Sequence, residues 1–409
     1  MWRYKLQCFN CQRESSARET SFRCSTCGGL LEVKFDLAGR RKPSWDRRHL
    51  SVWKYRELLP IEKEGSIISL AEGGTGLHRC RRLGRKLGLK KLYVKNEGEN
   101  PTGSFKDRGM TVAISKAKEL RKKKVLCAST GNTAASLAAY SARAGMECIV
   151  LVPKGKVAVG KMLQVTMHGA RIIQVQGDFD KAFATALELA DRNRELYLMN
   201  SLNPYRLEGQ KTLAFEISDQ LDSKTPDMVI LPVGNGGNIS AAWKGFTEFQ
   251  QLSITNGRPR MIGIQAEKAA PIARAVKRRE SKIHPVQNPQ TIATAIRIGS
   301  PVNWPKVLKA INESKGTAET VTDLEILQAQ RDLATLEGIF VEPASAASIA
   351  GLKKLRGKGT IDSSETVVCV TTGHGLKDPS VLGRLPKSQA GYNLEITDKT
   401  SLDALERVL

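Results

Sequence analysis

Residues 228–239 read Met228-Val229-Ile230-Leu231-Pro232-Val233-Gly234-Asn235-Gly236-Gly237-Asn238-Ile239. An apolar run stops at a glycine-rich loop, and a helical pattern continues from Ile239 to Gln250. A short apolar strand, a tight loop and a helix form the unit of a parallel α/β sheet, because parallel neighbours can be joined only through a crossover. The unit recurs on both sides of this stretch. Strands are predicted at 91–95, 125–128, 148–152, 171–175, 228–233, 261–265 and 366–371, and helices over 106–122, 133–144, 181–194, 239–250, 323–336 and 344–355. Alternation from about residue 66 to 385 predicts an α/β fold with helices on both faces of parallel sheets, and the number of units favours two sheets.

The outer segments differ in character. Residues 1–35 carry Cys8, Cys11, Cys24 and Cys27, two Cys-x2-Cys pairs, and end in the alternating run Leu30 to Phe35. A two-residue gap lets both thiolates of a pair face one tetrahedral cation, so the four form a zinc ribbon site of structural type. Cys127, Cys148 and Cys369 lie in apolar runs and read as buried strand residues, Cys80 has no assigned role, and nothing suggests a disulfide framework. The expected division is a ribbon over 1–35, a linker and first part of a large domain over 36–95, a smaller α/β domain over 96–200, the large domain over 201–385 and a tail over 386–409. The tail carries a helix over 402–409 capped by Thr400 or Ser401.

Composition narrows the function classes. At 409 residues the chain can hold more than one core. No stretch approaches the ~18 apolar residues of a membrane span, and the first residues show no apolar leader, so a soluble cytoplasmic protein is expected. The formal charge of +23 is high. Basic runs at 79–91, 121–124 and 277–279 suggest nucleic acid, but they are dispersed and lack interleaved aromatic rings, so a solvated basic surface is the preferred reading. Such a surface also attracts phosphorylated metabolites.

Four loops carry the chemistry. Asn100 to Met110 is a turn of Pro, Gly and hydroxyl residues leading into a helix, which places Lys106 near the positive end of the helix dipole. A cation is disfavoured there, whereas a neutral amine suited to Schiff-base chemistry is not. Ser129-Thr130-Gly131-Asn132-Thr133 follows a strand and opens an Ala-rich helix; it suits a carboxylate or phosphate, and equally an ordinary capped turn. Gly234 to Asn238 is a phosphate loop without a dinucleotide or Walker signature, better matched to a small phosphorylated cofactor. Thr371 to Pro379 ends the strand 366–371 and brings Thr372 to the same sheet edge. With five histidines and none paired at i, i+4, a histidine metal site or hydrolytic triad is not expected.

Together the motifs Asn-Pro-Thr-Gly-Ser-Phe-Lys-Asp-Arg-Gly, Ser-Thr-Gly-Asn-Thr, Gly-Asn-Gly-Gly-Asn and Thr-Gly-His-Gly-Leu-Lys-Asp-Pro resemble the threonine synthases, a family of fold-type II (tryptophan synthase β-like) pyridoxal 5'-phosphate (PLP) enzymes. The first three specify the fold type; the fourth, with Asn200-Ser201-Leu202-Asn203-Pro204-Tyr205-Arg206, favours threonine synthase. The resemblance implies that Lys106 holds PLP as a Schiff base and shuttles protons, with Phe105 beside the cofactor. It implies Asn132 at the ring O3', Gly234, Asn235, Gly236, Gly237 and Asn238 around the cofactor phosphate, and Thr372 at the ring nitrogen, which a neutral hydroxyl leaves unprotonated. Ser129, Thr130 and Thr133 are implied to grip the substrate carboxylate, and Asn200, Ser201, Arg206 and also Asn235 the substrate phosphate. The implied reaction turns O-phospho-L-homoserine and water into L-threonine and phosphate, in a homodimer. One departure is Gly76, in Glu72-Gly73-Gly74-Thr75-Gly76-Leu77, where the family usually has proline.

The nearest alternative is a cysteate synthase or another PLP-dependent lyase acting on a phosphorylated amino acid. A dehydratase would have no need for Arg206. A nucleic-acid-binding protein on a retired enzyme fold would be expected to have lost Lys106 or the glycine loop, and both are present.

Overall fold

The computed structural model describes residues 2–17, 22–155 and 159–379; the proposed tail helix at 402–409 lies outside the described residues. Thirteen strands run β1 (Tyr4–Cys8), β2 (Glu14–Ser15), β3 (Leu31–Phe35), β4 (Leu77–Arg79), β5 (Lys91–Asn96), β6 (Lys124–Ala128), β7 (Glu147–Pro153), β8 (Arg171–Val175), β9 (Leu196–Leu198), β10 (Met228–Pro232), β11 (Arg260–Ala266), β12 (Thr317–Val321) and β13 (Thr366–Thr371) among the described residues. The α-helices are α1 (Arg81–Leu87), α2 (Lys106–Glu119), α3 (Asn132–Ala144), α4 (Val159–Met167), α5 (Phe179–Arg192), α6 (Pro204–Gln210), α7 (Thr212–Gln220), α8 (Gly237–Gln251), α9 (Pro271–Arg278), α10 (Trp304–Glu313), α11 (Asp323–Glu337) and α12 (Pro343–Gly357). All seven predicted strands form, within one or two residues of their expected ends.

The strands make two α/β sheets, in the orders β12-β11-β10-β13-β5-β4 and β8-β7-β6-β9, and a small sheet β2-β1-β3. The smaller α/β sheet is wholly parallel; the larger is parallel except at its edge, where β4 pairs antiparallel with β5. Strand β10, apolar and buried at every position, is central, as expected for a strand covered by helices on both faces. Helices α6 and α7 fall among segments for which no helix was predicted. Every residue of α6 and most of α7 are buried, so neither has the polar stripe that marks an amphipathic helix in sequence.

The N-terminal sheet packs on the rest of the molecule rather than standing apart. Its Leu6, Phe22, Leu31 and Val33 share one apolar cluster with Val125 and Leu126 of β6 and Tyr205 of α6. Phe22 stacks edge-on against Tyr197 at 5.3 Å, and Tyr205 donates its hydroxyl to the Ala17 carbonyl at 2.9 Å. No helix of the described residues is long and apolar enough to cross a membrane.

Helix α2 is pinned by a buried ion network. The Arg108 guanidinium bonds Glu97 at 2.5 and 2.8 Å and Glu216 of α7 at 2.6 and 2.7 Å, and Lys95 of β5 donates to Glu216 at 2.8 Å. All four side chains are fully buried, two cations against two carboxylates. Removing one member leaves an uncompensated charge in the interior. Arg108→Ala is therefore expected to cost about 3–5 kcal/mol, read as a lower midpoint of urea unfolding.

Candidate active site

The four loops singled out in sequence converge because of strand order. β10, β13 and β5 are neighbours in the larger sheet, so the segments leaving their carboxyl ends carry Gly234 to Asn238, Thr372 and Lys106 to one edge. The fourth loop leaves β6 of the smaller sheet and opens α3 at Asn132. Between them lies a cleft whose empty space, open mouth included, is about 690 Å³. Phe105, Lys106, Asn132, Ser201, Arg206 and Thr372 line it together with the whole Gly234 to Asn238 loop. Ser129, Thr130, Thr133 and Asn200 do not. Asn200 turns instead to β6, bonding the Ala128 carbonyl at 2.9 Å and its N–H at 3.0 Å.

Lys106 and Arg206 meet through a glycine contact. Helices α2 and α6 cross where Gly109 and Gly209 face each other; a Cβ on Gly209 would lie 1.7 Å from the Arg108 carbonyl oxygen, and one on Gly109 2.8 Å from that of Arg206. Each glycine follows its functional residue by three positions, one helical turn, so the backbone approach brings the two cations to one wall of the cleft. The Lys106 amine lies 4.1 Å from the centre of the Phe105 ring. Burial, with the Arg206 charge beside it, lowers its pKa to about 7, against a smaller opposing pull from Glu342. Arg206 is itself buried and lowered to about 10 by desolvation. Its Nη1 donates to the Met199 carbonyl at 3.0 Å while Nε has no partner, and no carboxylate pairs with it among the described residues.

The loop after β10 is built for an anion. Gly236 takes φ +82°, and a Cβ there would meet Val307 Cγ2 at 2.3 Å, so only glycine fits. Helix α8 starts at the next residue and points its free N–H groups at the cleft. Both amide atoms of buried Asn238 lack partners, as do Arg206 Nε and Gln210 Oε1, all in residues lining this one cleft. Orphaned buried polar groups are costly, and a polar ligand would satisfy them. A neutral-prone lysine, a glycine phosphate loop and a hydroxyl partner fit a phosphorylated aldehyde cofactor, with Arg206 left to hold a second anion.

Some lining residues escaped the sequence reading, notably Gln210 and Glu342. Glu342 precedes α12 as its N-cap; both its carboxylate oxygens accept from Asn132 Nδ2, at 3.1 and 3.0 Å, and burial raises its pKa. Its only sequence signal is a Glu-Pro step at a helix start, which reads as an ordinary terminus. Gly76, the departure noted above, donates its N–H to Glu99, a bond proline could not make.

A family model described as pyridoxal-phosphate dependent enzyme matches residues 68–373. Over 384 residues the chain is 56% identical to the threonine synthase of Methanosarcina acetivorans, covering 93% of each, and over 407 residues 54% identical to that of Methanocaldococcus jannaschii, covering 98% of each. The chain belongs to the threonine synthase family. Among solved structures, the processed form of threonine deaminase isoform 2 from Solanum lycopersicum matches with a TM-score of 0.65 at 24% identity, over 76% of this chain and 81% of that one. Maize serine racemase matches with a TM-score of 0.64 at 21% identity, over 82% and 93%. Those likenesses concern the fold, which is that of fold-type II PLP enzymes.

The lowered Lys106 pKa has a measurable consequence. In cofactor-free protein the rate of PLP uptake, followed by growth of its visible absorption, is expected to rise through a midpoint near pH 7 rather than near the ordinary lysine value. Arg206→Ala removes a repelling charge and should move that midpoint up; Glu342→Gln removes an attracting one and should move it down.

Proposed function

We propose that this chain converts O-phospho-L-homoserine and water to L-threonine and phosphate, and that Arg206 selects the phosphorylated substrate. The observation that carries the reading is a buried guanidinium, free of carboxylates among the described residues, on the same cleft as Lys106. A planar guanidinium can bind a phosphoryl group through two parallel hydrogen bonds, and its low-dielectric setting strengthens them.

Bound PLP supplies the electron sink that makes the α-proton of an amino acid removable. The chain supplies the rest. The Lys106 amine, with its pKa lowered to about 7, is present in its neutral form in a substantial fraction near neutral pH and serves as a base toward the substrate carbons. Gly234 to Asn238 and the α8 N-terminus would take the cofactor phosphate, Asn132 its O3' and Thr372 its ring nitrogen. Arg206, Ser201 and Asn235 would hold the substrate phosphate as it leaves. Ser129, Thr130 and Thr133 surround the start of α3, where backbone N–H groups and hydroxyls suit the substrate carboxylate; we assign Asn200 the supporting place of fixing this loop against its neighbour rather than a direct phosphate contact.

The ribbon is read as a structural zinc site. Cys8, Cys11, Cys24 and Cys27 place their sulfurs within 4.8 Å of one another, with Cys8 to Cys27 at 3.4 Å and Cys11 to Cys24 at 3.6 Å. Tetrahedral zinc with Zn–S of ~2.3 Å needs thiolates roughly 3.8 Å apart. A cytoplasmic location suits such thiols, and the homodimer belongs to the same reading.

Purified holoprotein given O-phosphohomoserine is expected to release threonine and phosphate in equal amounts. Release only from phosphoserine with sulfite would overturn the assignment. Arg206→Ala should lower kcat/KM by roughly 10²–10³-fold, the loss of two charge-assisted hydrogen bonds. One zinc per chain is expected by elemental analysis. Because the ribbon packs on α6, its removal by a chelator should lower the melting temperature and raise KM for the phosphorylated substrate; a protein free of zinc and indifferent to chelator would refute the metal assignment.

A further inference from the structure

A second hydroxyl, that of Ser345, lies against Thr372. Ser345, third residue of α12, is fully buried. Its oxygen accepts the backbone N–H of Thr372 at 2.8 Å and that of Gly373 at 2.8 Å. A hydroxyl oxygen offers two lone pairs, and these two bonds occupy both. Ser345 can then act toward any further neighbour only as a donor. Its neighbours in reach are Thr372 Oγ1 at 3.0 Å and the Gly373 carbonyl at 3.1 Å, and that carbonyl already accepts the Glu342 N–H at 3.0 Å.

The Thr372 proton therefore cannot point back at Ser345. Its other partner is Glu342 Oε1 at 3.5 Å, the outer limit of a hydrogen bond, on a carboxylate that both oxygens commit to Asn132. The remaining direction is the cleft, which Thr372 lines. We propose that Ser345 is a positioning residue that fixes the Thr372 hydroxyl as a donor toward the cofactor ring nitrogen and so holds that nitrogen unprotonated. This rests on the reading of Thr372 as the ring-nitrogen partner. Ser345 has one proton to give, to the Gly373 carbonyl or to Thr372 Oγ1; where Thr372 receives it, its oxygen is polarised in the sense that strengthens its own outward bond. A protonated ring nitrogen would need Thr372 to accept and to swing its proton onto the distant Glu342 oxygen.

The decisive measurement is the ring-nitrogen NMR shift in holoenzyme reconstituted with 15N-labelled PLP, for wild type, Thr372→Val, Ser345→Ala and the double variant. Wild type is expected to show an unprotonated, hydrogen-bonded nitrogen. Thr372→Val should move the signal to that of a free pyridine nitrogen, Ser345→Ala should move it in the same direction, and the double variant should match Thr372→Val alone. Ser345→Ala should also lower kcat by roughly tenfold, the order of one hydrogen bond, with KM little changed. Should Ser345→Ala fail to fold or take up PLP, Ser345→Cys decides by the same reading, since sulfur still accepts the two N–H groups weakly but donates poorly. An unmoved signal in Thr372→Val sinks the reading of Thr372. A signal that moves there but not in the folded Ser345 variant, or a protonated nitrogen in wild type, sinks the role of Ser345.

Discussion

The first turn of α2 depends on Arg108, whose guanidinium is clasped by Glu97 from the end of β5 and Glu216 from α7, all three side chains fully buried. Successive helical residues project about 100° apart, and residues 106–108 use that spread. Arg108 is tied to the larger sheet. Asp107 accepts from Thr102 at 2.6 and 2.7 Å and from Ser136 of α3 at 2.6 Å, which ties the same turn to the smaller sheet's helices. Lys106, between these anchored faces and the cleft, has no salt bridge among the described residues and lines the cleft. A network of this kind gains little net stability over an apolar core of the same shape. What it supplies is a fixed position for one amine.

The cleft itself is electrostatically unfinished. Lys106 and Arg206 repel each other, Glu342 only partly offsets them, and several polar atoms lack partners. The same features that cost stability without ligand favour an anionic, polar one. The glycine crossing of α2 and α6 sets the backbones that carry Lys106 and Arg206 directly against each other.

Ribbon and catalytic core are coupled through the back of α6. Tyr205 reaches the ribbon at Ala17, Lys244 of α8 reaches the Val33 carbonyl at 2.5 Å, and the Lys211 amine lies 4.5 Å from the centre of the Phe35 ring. Arg206, next to Tyr205, faces the other way into the cleft. Any disturbance of the four-thiol cluster therefore reaches Arg206, a residue of the cleft wall, within one helical turn.

The amino-acid sequence alone determined the seven principal strands, the α/β class, the glycine phosphate loop, the lysine and the cysteine cluster. Those are local signals: apolar runs, glycines where a side chain cannot fit, and short fixed spacings. Only tertiary structure decided the strand order that sets β10, β13 and β5 side by side, although β5 and β13 lie at opposite ends of the α/β region along the chain. It also revealed α6, whose burial on every face erases the period that marks a helix, and turned Asn200 toward β6. Glu342 and Ser345 were invisible for the same reason. Each stands at an unremarkable helix start in sequence, and acquires its role only from Asn132 and Thr372, which lie 210 and 27 residues away along the chain.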